Sequence, residues 1–473
     1  MKSVTSAFYF LIFLFHSSVA NSQVDSERIL SVEEFISVVK AYHPVARQAQ
    51  LIPEQARAEL LVARGGWDPK IYSEYDRKTF DGKNYYSYFE NKVTIPVWYG
   101  IEVKGGYDFI YGNNINSENK LPNDGLGYLG LSVPLLKNML IDKQRAALKQ
   151  ALIFQSASEQ QRLIILNDLL LDALKAYYDW SYFYNEFKVY ENALDVAVFR
   201  FNATVQYSRL GDRAAIDTTE ALTQLQSRQF QFNEARLKWL NSSLELSNYL
   251  WLENEQPRPF DTALIPMSLN SDFTSATIEL SKAEELVAEL KQTQPNLVNY
   301  RYVLKQMDVE RRLKLEGLKP SLNASYNVLS ERFNFQSDAG LILNNNYKFG
   351  VNFSMPLSFS QGRGELKLMK LKIREKQYEL DFKTQELVNK FRSYFNELVT
   401  LQQQTILYEE SLRGFKTLLD GENSRFDNGE SSLFLVNARE NRYLDAQIKL
   451  RELQSKYFKT EAALKWAVGN ISR

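Results

Sequence analysis

The sequence predicts a membrane protein of the α+β class, internally duplicated, in which strands that close as a β-barrel are continued by very long coiled-coil helices. Three observations carry that expectation. The N-terminus has the form of an export signal, yet no later stretch holds eighteen consecutive apolar residues, so any spanning part must be a barrel. The same order of motifs occurs twice. In each occurrence the hydrophobic period passes from helical to two and then to seven residues.

Composition narrows the chemistry before any element is placed. The chain has 473 residues, no cysteine, and 57 basic against 57 acidic residues. The missing thiols exclude disulfide frameworks, Cys-zinc sites, iron–sulfur clusters and Cys nucleophiles. A net charge of zero gives no electrostatic footprint for nucleic acid. Of the two histidines, His16 falls in the export signal, leaving His43 as the one imidazole. No metal site, cofactor site or catalytic constellation is expected, so the reading is of a protein that is not an enzyme.

Residues 1–22 read as a secretory signal peptide. Lys2 gives a positive start, Ala7 to Phe15 an apolar core, and Ser18-Val19-Ala20 a small-residue cleavage pattern. The apolar core is about half the ~20 residues of a spanning helix. No cysteine follows that could carry a lipid.

The first repeat is expected over 23–256, a connection over 257–280, and the second repeat over 281–473. Ser31-x-x-Glu34 and Ser281-x-x-Glu284 are capping boxes, each opening a helix that runs to about Arg64 or Glu316. His43-Pro44 and Gln294-Pro295 occur inside these helices. Gly66, Pro69, Ile71 and Tyr75 then match Gly317, Pro320, Leu322 and Tyr326 at one offset, 251 (317 minus 66). Leu131 to Leu135 matches Phe353 to Leu357 at 222 (353 minus 131), so the first copy is longer by 29 residues (251 minus 222) between its paired prolines. The repeat is far longer than a solenoid period.

Strands follow the first helix in each copy. Leu322, Ala324, Tyr326 and Val328 alternate with smaller or polar residues, as do Phe349, Val351, Phe353 and Met355. In the first copy Ile101, Val103, Tyr107, Phe109 and Tyr111 lie on one side, with Glu102, Lys104 and Asp108 on the other. Such alternation fits a half-buried soluble sheet or a lipid-facing wall. The export signal and the excess of aromatics favour outer-membrane strands. Neither copy has enough strands to close a barrel, so closure needs other chains. Asp81-Gly82-Lys83-Asn84 could turn an additional hairpin, which leaves the strand number of the first copy open.

A long helix completes each copy. Leu163, Leu166, Leu170, Ala173, Tyr177, Trp180, Tyr184, Phe187, Leu194, Val198 and Phe201 keep a three-four spacing, as do residues from Leu380 to Leu419. From Asn138 to Gln206 there is no proline, and at 1.5 Å per residue the helix would run ~100 Å. Arg209-Leu210-Gly211-Asp212 and Asp427-Asn428-Gly429-Glu430 break the two helices, and a returning helix follows each.

This arrangement resembles the TolC-type outer membrane efflux protein family over nearly the whole chain after the signal. The resemblance rests on the duplicated helix, strands and helical hairpin, the proline in each first helix, Gly-x-x-Pro before the strands and Ser-x-Pro-Leu after them. It implies a homotrimer, a trimeric outer-membrane β-barrel continued by a long coiled-coil α-helical barrel that extends into the periplasm. The implied partners are outer-membrane lipid, a periplasmic adaptor (membrane fusion) protein and an inner-membrane pump, for which the chain would be the passive exit duct in efflux or type I secretion. By the same likeness Arg209, Leu210, Gly211, Asp212, Asn428, Gly429, Glu430 and Ser431 form the adaptor-docking turns. Family members often narrow the tunnel with acids six and nine positions after the second turn glycine. Here those positions are Leu435 and Ala438, while Asp217 and Glu220 hold the equivalent places in the first copy and are candidate lumen acids. The family's usual two strands per copy are put in question by the 29 extra residues.

Other motifs have simpler readings. Gly125-Leu126-Gly127-Tyr128-Leu129-Gly130 spells a dinucleotide fingerprint but begins a strand instead of opening a helix. His43 pairs with Gln294 in the repeat, which suits a polar residue at a kink better than catalysis. The competing functional reading is a periplasmic or surface coiled-coil scaffold that forms no channel.

Overall fold

The first helix of each copy is two helices, and the reason lies in the proline. The computed structural model describes residues 28–259, 263–268, 280–331 and 345–471; the expected signal peptide and most of the connection lie outside them. After a short strand β1 (Arg28–Leu30), α1 (Val32–Tyr42) stops at His43 and α2 (Pro44–Arg64) begins. Proline has no N–H to donate and drives the residue before it out of the helical region, and His43 sits extended at φ −63°, ψ 133°. Its Nδ1 accepts from the Val45 N–H at 3.2 Å, so the imidazole caps α2 instead of occupying a kink. In the second copy α5 (Leu280–Thr293) and α6 (Pro295–Glu316) are parted in the same way, with Gln294 Oε1 accepting from Leu297 N–H at 3.2 Å. Ser31 caps α1 as expected, accepting from Glu34 N–H at 3.1 Å. Helix α5 starts at Leu280, which puts Ser281 inside the first turn instead of at the cap.

Six of the eight strands among the described residues form one antiparallel sheet. In the first copy there are four, β2 (Lys70–Phe80), β3 (Lys83–Pro96), β4 (Glu102–Tyr111) and β5 (Leu126–Pro134). A three-residue strand β6 (Leu264–Pro266) from the connection pairs in parallel with β1. The second copy adds β7 (Ser321–Ser330) and β8 (Tyr347–Ser354), giving the order β2-β3-β4-β5-β7-β8. The extra length of the first copy is thus a further hairpin. Asp81 (φ 52°) and Gly82 (φ 68°) make the two-residue turn that joins β2 to β3, with both central residues at the positive φ of a type I′ turn. Each pairing keeps one face consistent, since Ile71 lies opposite Val93, Phe89 opposite Phe109, Leu131 opposite Tyr326, and Tyr326 opposite Phe349.

Two helices of great length carry the chain away from the sheet. Helix α3 (Lys143–Arg209) has 67 residues and α7 (Ser360–Asp427) has 68, so each spans ~100 Å. The corner from β5 into α3 is fixed by Arg145, which is 5% exposed. Its Nε meets Asp142 Oδ2 at 2.8 Å while its Nη1 donates to the Met139 and Leu140 carbonyls. Returning helices α4 (Ala215–Ser247) and α8 (Leu433–Val468) pack on the far halves of α3 and α7, and α2 and α6 lie along the near halves.

Two apolar clusters hold the bundle. One joins α1, α3, α4 and the β1–β6 pair around Phe35, Leu170, Tyr177, Trp180 and Leu246; the other joins α5, α6, α7 and α8 around Leu290, Leu297, Leu387 and Phe391. The Tyr177 hydroxyl donates to Leu30 O at 2.7 Å and Trp180 Nε1 to Ser243 Oγ at 3.0 Å, so these buried rings keep their polar ends satisfied. The seven-residue seam is followed through Phe187. Past Glu191 it drifts, since Ala193 and Ala197 are buried while Val198 is 39% exposed.

Candidate functional site

Both helical turns close by the same hydrogen bonds. Gly211 (φ 82°) and Gly429 (φ 78°) take the left-handed conformation after α3 and α7. Gly211 N–H donates to Ser208 O and Asp212 N–H to Tyr207 O; Gly429 N–H donates to Phe426 O and Glu430 N–H to Arg425 O. This is the Schellman pattern, which satisfies the last carbonyls of a helix where a side chain would clash. A Cβ built on either glycine meets nothing within 4 Å, so the turns project into open space. Arg209, Leu210, Asp212, Asn428 and Glu430 are exposed, and Ser431 is half-buried with its hydroxyl donating to Glu422 Oε1 at 2.6 Å. That hydrogen bond holds the Glu422 carboxyl below its ordinary range. The Arg213 guanidinium lies 4.2 Å from the centre of the Phe426 ring, which brings the two turns together.

Apolar side chains at the same end stand largely exposed. Leu210 is 74% exposed, Ile216 71% and Phe434 67%. Sequence reasoning passed over Ile216 and Phe434, although they stand at one offset, 218 (434 minus 216), the same that relates the turn glycines (429 minus 211). The candidate lumen acids behave differently from each other. Asp217 is half-exposed in the first turn of α4. The Glu220 carboxylate accepts from Asn437 Nδ2 at 3.1 Å across to α8. Asn437 in turn accepts from Arg200 Nη1 at 3.1 Å, and the same nitrogen meets Glu440 Oε2 at 2.5 Å. This chain of polar groups ties the first hairpin to the second just behind the tip.

At the other end the sheet has two unlike faces. One carries Ile71, Tyr75, Phe89, Val93, Val103, Phe109, Leu129, Leu131, Tyr326, Phe349, Val351 and Phe353, and many are open, with Ile71 84%, Phe349 61% and Val351 56% exposed. The other carries Glu74, Glu90, Lys92, Lys104, Asp108, Asn327, Lys348 and Asn352. Trp67 and Trp98 stack at 5.7 Å where the sheet meets the helices, at the level where amphipathic rings favour a membrane interface. No helix among the described residues is long and apolar enough to cross a membrane. An exposed apolar band of this size on a sheet is unsuited to water and suited to lipid.

A sheet apolar on one face and polar on the other, open at both edges and joined to ~100 Å helices, has the form of a wall segment that a single chain does not close. Residues 286–470 match the family model described as outer membrane efflux protein. No curated protein matches the chain by sequence. Among solved structures, the open state of the MtrE outer membrane channel of Neisseria gonorrhoeae is 15% identical with a TM-score of 0.67, covering 93% of this chain and 89% of that one. The CmeC outer membrane channel of Campylobacter jejuni is 15% identical at 0.65, covering 93% and 86%. The outer membrane protein VceC of Vibrio cholerae is 13% identical at 0.64, covering 93% and 96%. At these identities the likeness is one of fold, and it extends along nearly the whole chain. The match to the family model thus covers most of the second repeat, and what the whole chain shares with these outer membrane channels is the fold.

Proposed function

We propose that this chain forms, as a homotrimer, the passive exit duct of a tripartite efflux or type I secretion system, receiving substrate through a periplasmic adaptor from an inner-membrane pump. The observation that carries the docking surface is the pair of matched turns at the far end of the long helices, each presenting a free backbone corner beside uncovered Leu210, Ile216 and Phe434. Small apolar anchors ringed by polar groups suit a protein partner. Arg209 to Asp212 and Asn428 to Ser431 then form the rim around those anchors.

Asp217, one per chain around the trimer axis, is assigned to the lumen at the tip, where three carboxylates would favour cations. Glu220 is given the different task of holding α4 to α8 through Asn437. Photocrosslinkers placed at Asp212 and Glu430 in living cells test the docking surface. One adaptor protein should be captured from both positions, and capture should fail when Ile216 and Phe434 are changed to Asp. Trimers that reach the outer membrane yet capture no adaptor from either position would overturn the proposal.

A further inference from the structure

We infer that the barrel has eighteen strands, closed by pairing β8 of each chain with β2 of the next in one register, Ser354 opposite Glu74 and Phe353 opposite Tyr75. The inference rests on the trimeric reading above and goes beyond it in strand number and register. Its basis is the internal duplication. Within one chain the last strand of the first copy, β5, pairs with the first strand of the second copy, β7, with Leu131 opposite Tyr326 and Ser132 opposite Ser325. Between chains the equivalent junction joins the last strand of the second copy to the first strand of the first copy. The repeat offsets convert one into the other: Leu131 corresponds to Phe353 (offset 222) and Tyr326 to Tyr75 (offset 251), while Ser132 corresponds to Ser354 and Ser325 to Glu74.

Three independent checks agree. The direction is right, since β2 rises from α2 and β8 descends into α7, so the new pair is antiparallel like every other pair in the sheet. The faces are right as well, because a slip of one residue would exchange them. Phe353 shares the apolar face with Phe349 and Val351, and Tyr75 lies opposite Phe89 on that face; Ser354 and Glu74 fall on the polar one. The helices repeat the same relation. Ile153 of α3 and Leu313 of α6 pack on one apolar cluster with Ala146 and Val309. Their repeat counterparts, Leu371 (offset 218) and Val62 (offset 251), are 51% and 79% exposed in the single chain, as an interface awaiting a second copy requires.

The six strands of the sheet among the described residues, taken from three chains, make eighteen, half as many again as two strands per copy would give. Barrel diameter grows roughly in proportion to strand number, so the lumen should be about one and a half times as wide, in the size class that leaves an aqueous channel.

The test uses the full chain, which has no cysteine of its own. The pair Glu74→Cys with Ser354→Cys should oxidise to covalently linked trimers in outer membranes, because directly opposed residues lie within the disulfide reach of about 4.4–6.8 Å. Asp76→Cys with Ser354→Cys sets the two Cα atoms on a diagonal of about 7–8 Å, beyond that reach, and should give at least about tenfold less linked product. Electron microscopy of the same trimers should resolve eighteen strands. Trimers that link preferentially through the diagonal pair, or that show a smaller barrel, overturn the inference while leaving the exit-duct reading intact. A monomer in the membrane defeats both.

Discussion

His43 shows how much a single side chain can be read from its repeat partner. It stacks on Tyr249 at 5.8 Å and caps α2 through an unprotonated Nδ1. Burial lowers its pKa below the ordinary 6.5, with the Asn248 backbone working the other way. With the folded value depressed, its contribution to stability is fully present above pH 6.5 and is lost as pH falls through the lowered value. His43→Gln should keep the cap, as Gln294 does, so thermal unfolding at pH 7.5 should change by less than about 0.5 kcal/mol. The same variant should flatten the stability curve below pH 6.5; an unchanged acid slope would show that the imidazole is not the titrating group. Arg200 makes a second residue-scale case. Arg200→Ala strands Glu440, whose side chain is 8% exposed, and should cost on the order of 3 kcal/mol in urea unfolding. Arg200→Ala together with Glu440→Leu should recover most of it. The turn glycines and the backbone irregularity at His43-Pro44 were legible because proline and left-handed glycine act locally. His43 itself reads from the sequence as a polar residue at a kink, and its cap on α2 is seen only in the structure. The Glu220–Asn437–Arg200 chain was not legible, since it joins residues more than two hundred positions apart.

At the scale of elements, what could be read depended on whether the signal was periodic. Alternation found β4, β7 and β8, and Asp81-Gly82 marked the extra hairpin by turn chemistry alone. The next turn escaped, because Trp98-Tyr99-Gly100 puts a tyrosine at φ 63° where turn signatures lead one to expect glycine or asparagine. Ile216 and Phe434 escaped for a different reason. An apolar residue in the first turn of a helix looks like core until the packing shows nothing beside it. The two faces of the sheet give a direct element-scale expectation. Phe349→Lys, on the apolar face, should cost about 2–4 kcal/mol and reduce the yield of membrane-inserted protein. Asn352→Lys, on the opposite face of the same strand, should be assembled at the unaltered level. Equal yields from the two variants would mean that the face assignment is inverted or that neither face meets lipid.

For the whole molecule the governing fact is that the wall is unfinished. The sheet ends at β2 on one side and β8 on the other, and exposed edges of this length pair with something or aggregate. The helices show the same incompleteness, with Phe230 and Leu237 of α4 and Tyr378 and Phe382 of α7 uncovered along their flanks. This was the most legible feature of all, because strands too few to close a barrel and helices too long for a globular domain follow from counting and period. Strand number was less accessible, since it depended on how 29 residues fold. The most direct measurement is native mass spectrometry of the protein extracted unheated from outer membranes in mild detergent. Three chains in one particle, falling to single chains on boiling, is the expected result; a particle of one chain that stays folded in the membrane would contradict the shared wall.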